Sequence, residues 1–371
     1  MMHVIIIGGG ILGASTAYHL VKSGHEVTVV DRSDAGQATD AAAGIICPWL
    51  SQRRNKAWYR LVKNGAKYYP ELISMLEEDG ETDTGYTMAG ALALHRDEVI
   101  LEDKEKRALK KREDAPEIGT ITKLTPEETK AMFPPVSDEF GSIHVTGGAR
   151  VNGRELRNAL TSAAKKNGAV FVTGSAELVA EGKKITGVKT NGEIISGDKV
   201  IVAAGAWATE LFEPLGIKFL VVPQKAQLVH LEIEEKDTNH WPVVMPPKNH
   251  YLIPFENGRI IAGATHEDDA GFDTRITAGG LYEVFDKALG NAPGLSDSTL
   301  VETRSGLRPY TPGHLPVIGE VPGLEGVFTA NGLGASGLTA GPYLGAELAK
   351  LATGEEIEID LSDYDINGAV E

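Results

Sequence analysis

The sequence predicts an α/β chain, α+β when taken whole, in which a parallel-sheet domain is interrupted by a strand-rich second domain. Three observations predict it. The apolar run at residues 3–7 gives way to Gly8-x-Gly10-x-x-Gly13, a helix-like stretch, and a second apolar run at 27–30 that ends on Asp31. Much later, a buried-type strand at 199–203 enters Ala204-Gly205-Ala206-Trp207, and residues 326–330 feed a glycine-rich loop at 331–339. Between these, residues 218–264 alternate in the manner of strands.

The opening segment carries the most specific chemistry. Gly8 permits the tight turn out of the strand, Gly10 lets backbone approach a pyrophosphate, and Gly13 lets the helix pack close on the sheet. Ile11 and Leu12 then present helix N-terminal amides, with their partial positive charge, to phosphates. The helix runs to about Ser23, and Gly24 supplies a left-handed stop. Asp31, 18 residues after Gly13, stands where a carboxylate accepts hydrogen bonds from a ribose 2′-hydroxyl. It argues against a 2′-phosphate, an argument that Arg32 beside it softens. Strand, glycine turn, helix and acid together specify a dinucleotide site; the alternative is a glycine turn with no ligand.

Composition narrows the class. A chain of 371 residues holds two domains or one large one, and 42% hydrophobic with 24% charged residues is a globular balance. A net charge of −16 excludes a nucleic-acid partner, which needs a basic face. The single cysteine, Cys47, rules out internal disulfides and a cysteine-based metal site and reads as a small buried apolar residue. No metal site is expected. The first strand begins at residue 3 or 4, so no signal peptide is expected and the cytoplasm is the expected location. Residues 4–21 are poor in charge, but the glycine turn explains them better than a membrane span does.

The remaining elements follow in order. Helical periodicity spans about 57–78, then a strand-like stretch 85–94 and a heavily charged, solvated helix over 97–113. Thr125-Pro126-Glu127-Glu128 starts a helix that Pro134-Pro135 stops. An amphipathic helix over 152–167 ends at Gly168, and short strands follow at 170–173, 177–180 and 186–190, with Asn191-Gly192 as a hairpin turn. A helix is expected near 280–289, and a last one over about 342–351, with Leu344, Leu348 and Leu351 as its apolar stripe. The dinucleotide features at 8–31, 203–207 and 331–342 are separated along the chain, so the nucleotide domain is discontinuous and the second domain enters it in two pieces.

Four motifs stand out: Gly8 to Gly13 with Asp31-Arg32; Ala38-Thr39-Asp40-Ala41-Ala42-Ala43-Gly44-Ile45; Val200 to Trp207; and Gly306-Leu307-Arg308-Pro309-Tyr310-Thr311-Pro312 with Asn331 to Thr339. Together they resemble those of FAD-dependent amine oxidoreductases of the D-amino acid oxidase superfamily, nearest the glycine oxidases and bacterial D-amino acid dehydrogenases. The resemblance runs nearly end to end. It implies a Rossmann-type FAD-binding domain (1–85, 141–216 and 302–371) with an inserted antiparallel-sheet substrate-binding domain (86–140 and 217–301).

The same resemblance assigns residues. Thr39, Ala43, Gly44 and Ile45 would lie under the isoalloxazine ring, Ala176 would meet the adenine, and Ala204, Gly205 and Trp207 would complete the nucleotide site. Gly334, Ala335, Ser336, Gly337, Leu338 and Thr339 would bring bare amides and a helix N-terminus to the flavin pyrimidine. The FAD would be non-covalent, since the last third holds no cysteine and residues 38–45 no histidine.

Arg308, by its place in the fourth motif, would grip a substrate carboxylate through two parallel bonds; a structural ion pair is the alternative. Tyr251 matches a pocket tyrosine or serves as a core residue. His266 aligns with a pocket position, or is a surface histidine at a strand end. The implied reaction is oxidation of the CH–NH bond of a small amino acid or amine by hydride transfer to flavin N5, giving an imine that hydrolyses to a 2-oxo acid. Oxygen, a quinone or another acceptor takes the electrons, and a homo-oligomer is compatible with the sequence. A flavin dehydrogenase for a 2-hydroxy acid, and a flavin subunit of a larger amine dehydrogenase complex, stay open as alternatives. One departure from the glycine oxidases shifts the substrate. Their last loop carries a second arginine where this chain has Ala335, which moves the reading from glycine toward bulkier D-amino acids or secondary amines such as N-substituted glycines.

Overall fold

In a computed structural model describing residues 1–371, the opening run forms the central strand of a six-stranded sheet. The order is Val317–Glu320, Val327–Asn331, Lys199–Val202, His3–Ile7, Glu26–Asp31, Val170–Thr173. All neighbours run parallel except the antiparallel edge strand Val317–Glu320. Both faces are covered, and the side chains divide between them with period two. Val4 and Ile6 join the larger core with the helices Ile11–Lys22, Lys56–Glu78, Gly153–Lys166 and Gly337–Thr353. Ile5 and Ile7 join a second core with residues of the three-stranded antiparallel meander Glu177–Glu181, Lys184–Thr190, Glu193–Ser196.

The second large element is an eight-stranded sheet, ordered Thr299–Tyr310, Val222–Glu232, Arg259–Gly263, Tyr251–Pro254, Val243–Met245, Ala91–His95, Gly141–Val145, Ile121–Leu124. Its strands alternate as the sequence requires. Along Val222–Glu232, Val229 and Leu231 pack into a core with Val284 and Ala288 of helix Ala278–Asn291, while Ala226 and Leu228 face the other way. That other face looks toward the carboxyl ends of the parallel strands, the position where α/β sheets bind ligands.

Two elements depart from expectation. The final helix begins at Gly337, five residues before the proline expected to open it, so Pro342 lies inside it. A proline there leaves the Leu338 carbonyl, four residues back, without its amide partner. The phenol of Tyr69 donates to that carbonyl at 2.5 Å, which lets the first turn form ahead of the proline. The stretch 85–94 is two strands, Tyr86–Thr87 and Ala91–His95, because Gly90 turns the chain at φ +82°. Strand Gly141–Val145, which the sequence reading set at the start of a nucleotide-domain segment, pairs with Ala91–His95 in the eight-stranded sheet. Cys47 is buried, and burial pushes its thiol up to about 12. No helix is long and apolar enough to cross a membrane; residues 4–21 are a strand, a glycine turn and a helix.

Candidate active site

A cavity of about 870 Å³ runs from the Gly8 turn, past the ends of the parallel strands, to the inner face of the eight-stranded sheet. Of the residues singled out from sequence, all but Gly13 line it. Gly13 lies beneath: a Cβ there would sit 1.9 Å from the Gly8 carbonyl, so its role is the close packing of helix on strand.

At one end Asp31 organises the turn. Its Oδ2 accepts from the Gly9 amide at 2.5 Å, and its Oδ1 accepts from the Ser33 amide at 2.6 Å and Gln37 Nε2 at 3.1 Å. Arg32 beside it pairs with Asp34 at 2.5 Å and Glu210 at 2.9 Å. Gly10 caps the following helix with no side-chain bond, and Thr39 Oγ1 accepts from the Ile11 amide at 3.0 Å. Ala176, Ala204, Gly205 and Trp207 complete this end, with Trp207 resting on Phe272 at 5.7 Å between ring centroids.

Residues 38–45 are fixed backbone. Ala38–Ala41 is a helical turn, and Ile45–Ile46 pairs with Arg150 and Ala149. Gly44 adopts φ +56°, and any Cβ there would lie 1.8 Å from the Val151 carbonyl. Thr339 Oγ1 donates to the Ile45 carbonyl at 2.8 Å, and Ser336 Oγ accepts from Trp58 Nε1 at 2.9 Å, so the 334–339 segment is locked on both sides.

Two glycines test whether the site suits a bound cofactor. Gly337 has an ordinary φ of −55°, and a Cβ on it would meet nothing within 4 Å. Gly10 has φ −69°, and its Cβ would meet only Thr39 Oγ1, at an ordinary 3.4 Å. Neither backbone angle nor protein packing demands glycine at these two places on the cavity wall. A planar ring or pyrophosphate lying against bare backbone does, so the residues present fit FAD.

At the far end Arg308 projects from strand Thr299–Tyr310, opposite Gln224. Its Nη1 donates to Gln224 Oε1 at 2.9 Å and to the Thr265 carbonyl at 3.3 Å. Nε and Nη2 have no protein partner, and no carboxylate lies within ion-pair distance, so the structural ion pair is not what is found. Tyr251 faces Gly263 across the strands, where a Cβ would come 2.6 Å from the phenol oxygen; burial pushes that phenol up to about 12. His266 follows the strand Arg259–Gly263 and is lowered by burial first and by the Arg308 charge second. Both are neutral around pH 7, which leaves Arg308 as the cation among the three.

Some residues around the cavity escaped the sequence reading. Gln224, which orients Arg308, is one polar position in an alternating strand and gave no signal. Tyr310, quoted within the fourth motif but given no role there, accepts from the Ala335 amide at 3.3 Å. Lys104 lies on helix Glu98–Arg112, which the charge run marked as wholly solvated, yet it lines the cavity. Lys111 of the same helix also turns inward, donating to the Trp49 and Ser51 carbonyls, and burial pushes it down to about 8. Arg53 also reaches the cavity, stacked over Trp58 at 4.8 Å.

Comparison with known proteins agrees with this geometry. The family model for FAD dependent oxidoreductases (DAO) matches residues 3–351. The chain is 59% identical to the oxidoreductase YurR of Bacillus subtilis (strain 168) over the whole of both chains. It is 30% identical to a glycine oxidase of Pseudomonas aeruginosa, covering 97% of each. Among solved structures it is similar to iminodiacetate oxidase (IdaA) from Chelativorans sp. BNC1, with a TM-score of 0.94 and 43% identity over 97% of this chain and 98% of that one. The Gly8 turn, the bare cavity wall and the family match lead to one assignment: the chain belongs to the DAO family of FAD-dependent oxidoreductases.

Proposed function

We propose that the protein oxidises the CH–NH bond of an N-substituted glycine, releasing a primary amine and glyoxylate. The observation that carries the reading is Arg308: a guanidinium on the cavity wall with two donor nitrogens unused by the protein and no counter-ion. A carboxylate accepts such a fork through two charge-assisted bonds. Ala335 adds a second argument, because its small side chain leaves room on the cavity wall where the resemblance to glycine oxidases implies an arginine. Support also comes from the iminodiacetate oxidase at 43% identity, since iminodiacetate is a glycine whose nitrogen bears a carboxymethyl group.

Each residue then has a task. Arg308, held by Gln224 and the Thr265 carbonyl, fixes the substrate carboxylate and with it the direction of the Cα–H bond. Tyr251, neutral, offers a hydroxyl to the carboxylate or amine; His266, neutral, leaves Arg308 without a competing charge. The bound flavin supplies a two-electron acceptor for the hydride leaving Cα. Water adds to the resulting imine, the C–N bond breaks, and the nitrogen leaves with its substituent. No side chain on the cavity wall is needed as a base if the amine arrives neutral, because the nitrogen lone pair itself assists the departing hydride. Turnover with oxygen, read as peroxide, against turnover with an artificial acceptor identifies the electron sink. A panel of sarcosine, iminodiacetate, glycine, L-proline, D-amino acids and 2-hydroxy acids tests the substrate class: N-substituted glycines lead under this reading, and a lead for 2-hydroxy acids overturns it.

A further inference from the structure

The charges on the cavity wall are sorted by sign. Its three acids, Asp31, Asp34 and Glu210, all lie at the Gly8 end, where Asp31 holds the Gly9 amide and the other two pair with Arg32. Away from that end the wall carries Arg308, Arg53, Lys104 and Lys248, and none of these four forms an ion pair. A chain of net charge −16 has acids to spare, so four unpaired cations on one wall mark a place that receives anions.

Arg308 alone accounts for one carboxylate. Arg53 is the best-held of the others. Its guanidinium stacks over Trp58 at 4.8 Å and donates through Nη2 to the His314 carbonyl. Trp58 in turn donates to Ser336, next to Ala335. His314 packs against Tyr310 at 4.7 Å between centroids, and the Tyr310 hydroxyl accepts from the Ala335 amide. Arg53 is thus anchored at two points to the neighbourhood of Ala335. Its charge reaches the cavity from a different segment of the chain, with Lys104 on the same wall.

We propose that Arg53, assisted by Lys104, forms a second anion subsite, and that the substrate is a secondary amine bearing a carboxylate at each end. Arg308 takes the carboxylate of the glycine unit that is oxidised; Arg53 takes the carboxylate on the nitrogen substituent. This inference rests on the amine-oxidising reading above, but binding tests it separately.

Glutarate has the chain length of iminodiacetate with CH₂ in place of NH, and pentanoate lacks its second charge. The holoenzyme is titrated with each at constant ionic strength, following perturbation of the flavin absorbance. Glutarate binds roughly tenfold or more tightly than pentanoate, the scale of one charge-assisted contact. Arg53→Gln brings that ratio to within about threefold of unity, and Arg53→Lys restores part of it. Lys104→Gln lowers it by a smaller factor, and added salt weakens glutarate more than pentanoate in the unaltered protein. Equal binding of the two acids by the unaltered protein, or an undiminished ratio in folded Arg53→Gln, overturns the subsite. Anaerobic bleaching by sarcosine is read in parallel. A glutarate preference without bleaching by any amine leaves the subsite standing and overturns the amine reading. Bleaching without the preference does the reverse.

Discussion

Tyr69 donates its phenolic hydrogen to the carbonyl of Leu338, the carbonyl that Pro342 deprives of a backbone partner. Tyr69 is fully buried in helix Lys56–Glu78, and Leu338 is the second residue of the helix whose first turn lines the cavity. Gly65, one turn earlier on the same helix, allows the contact, since a Cβ there would sit 2.2 Å from the Thr339 carbonyl. The position of the cavity wall is therefore set by a residue 269 positions away in sequence.

Replacing Tyr69 by Phe leaves a buried carbonyl unsatisfied and costs about 1–3 kcal/mol of stability. Denaturant unfolding of Tyr69→Phe in the presence and absence of Pro342→Ala checks the cause. The alanine restores an amide for Leu338, so the loss is smaller in that background. An equal loss in both would mean that the phenol acts elsewhere.

On the proposed function, Arg308→Ala removes the fork that takes the substrate carboxylate while leaving the Gly8 end intact. kcat/KM for the best amine falls about 100-fold or more, mostly through KM, on the scale of a lost charged pair. FAD content per chain stays near that of the unaltered protein. Loss of flavin with an unchanged KM would show that Arg308 serves the fold or the cofactor.

Gly337→Ala separates cofactor fit from protein packing. No protein atom lies within 4 Å of the added methyl group, and alanine is the better helix former. The apoprotein stays at least as stable, while FAD binds about tenfold or more weakly because the methyl intrudes on the cavity. Thermal unfolding of the apoprotein and flavin titration give the two readings. Full FAD affinity would place the cofactor away from this helix terminus.

Stability falls as the pH drops from about 6.5 toward 4. Burial lowers His19, His230 and His250 to about 4, against 6.5 for a free ring. Between those values the unfolded chain binds more protons than the folded one, so each histidine's contribution is complete above 6.5 and lost on acidification. Unfolding midpoints at pH 7.5, 6 and 4.5 test the slope; an unchanged midpoint across the series contradicts it.

The parts of this molecule legible in sequence are those built from contiguous residues. The turn at Gly8 to Gly13 and the acid at Asp31 form a local unit whose spacing dictates its geometry, and the structure assembles it with Asp31 accepting from Gly9. Arg308 could be named because its flanking residues resemble a family motif. Gln224 and Tyr69 could not, because each acts on a residue brought to it by strand pairing or helix packing across the chain. Lys104 was hidden for another reason. A charge run reads as solvent-facing along its length, and only packing of the helix shows which long side chain turns inward. The start of the last helix was misplaced because proline normally opens a helix, whereas here a tyrosine supplies the missing donor.

In the proposed function, Arg308 presents a glycine-type amine to the flavin. Holoenzyme is mixed without oxygen with sarcosine, iminodiacetate, and the 2-hydroxy acid glycolate, and the oxidised flavin band is followed. The two N-substituted glycines are predicted to bleach it, with glyoxylate formed in proportion, and glycolate to leave it unchanged. Bleaching by glycolate but by neither amine would contradict amine oxidation at this site.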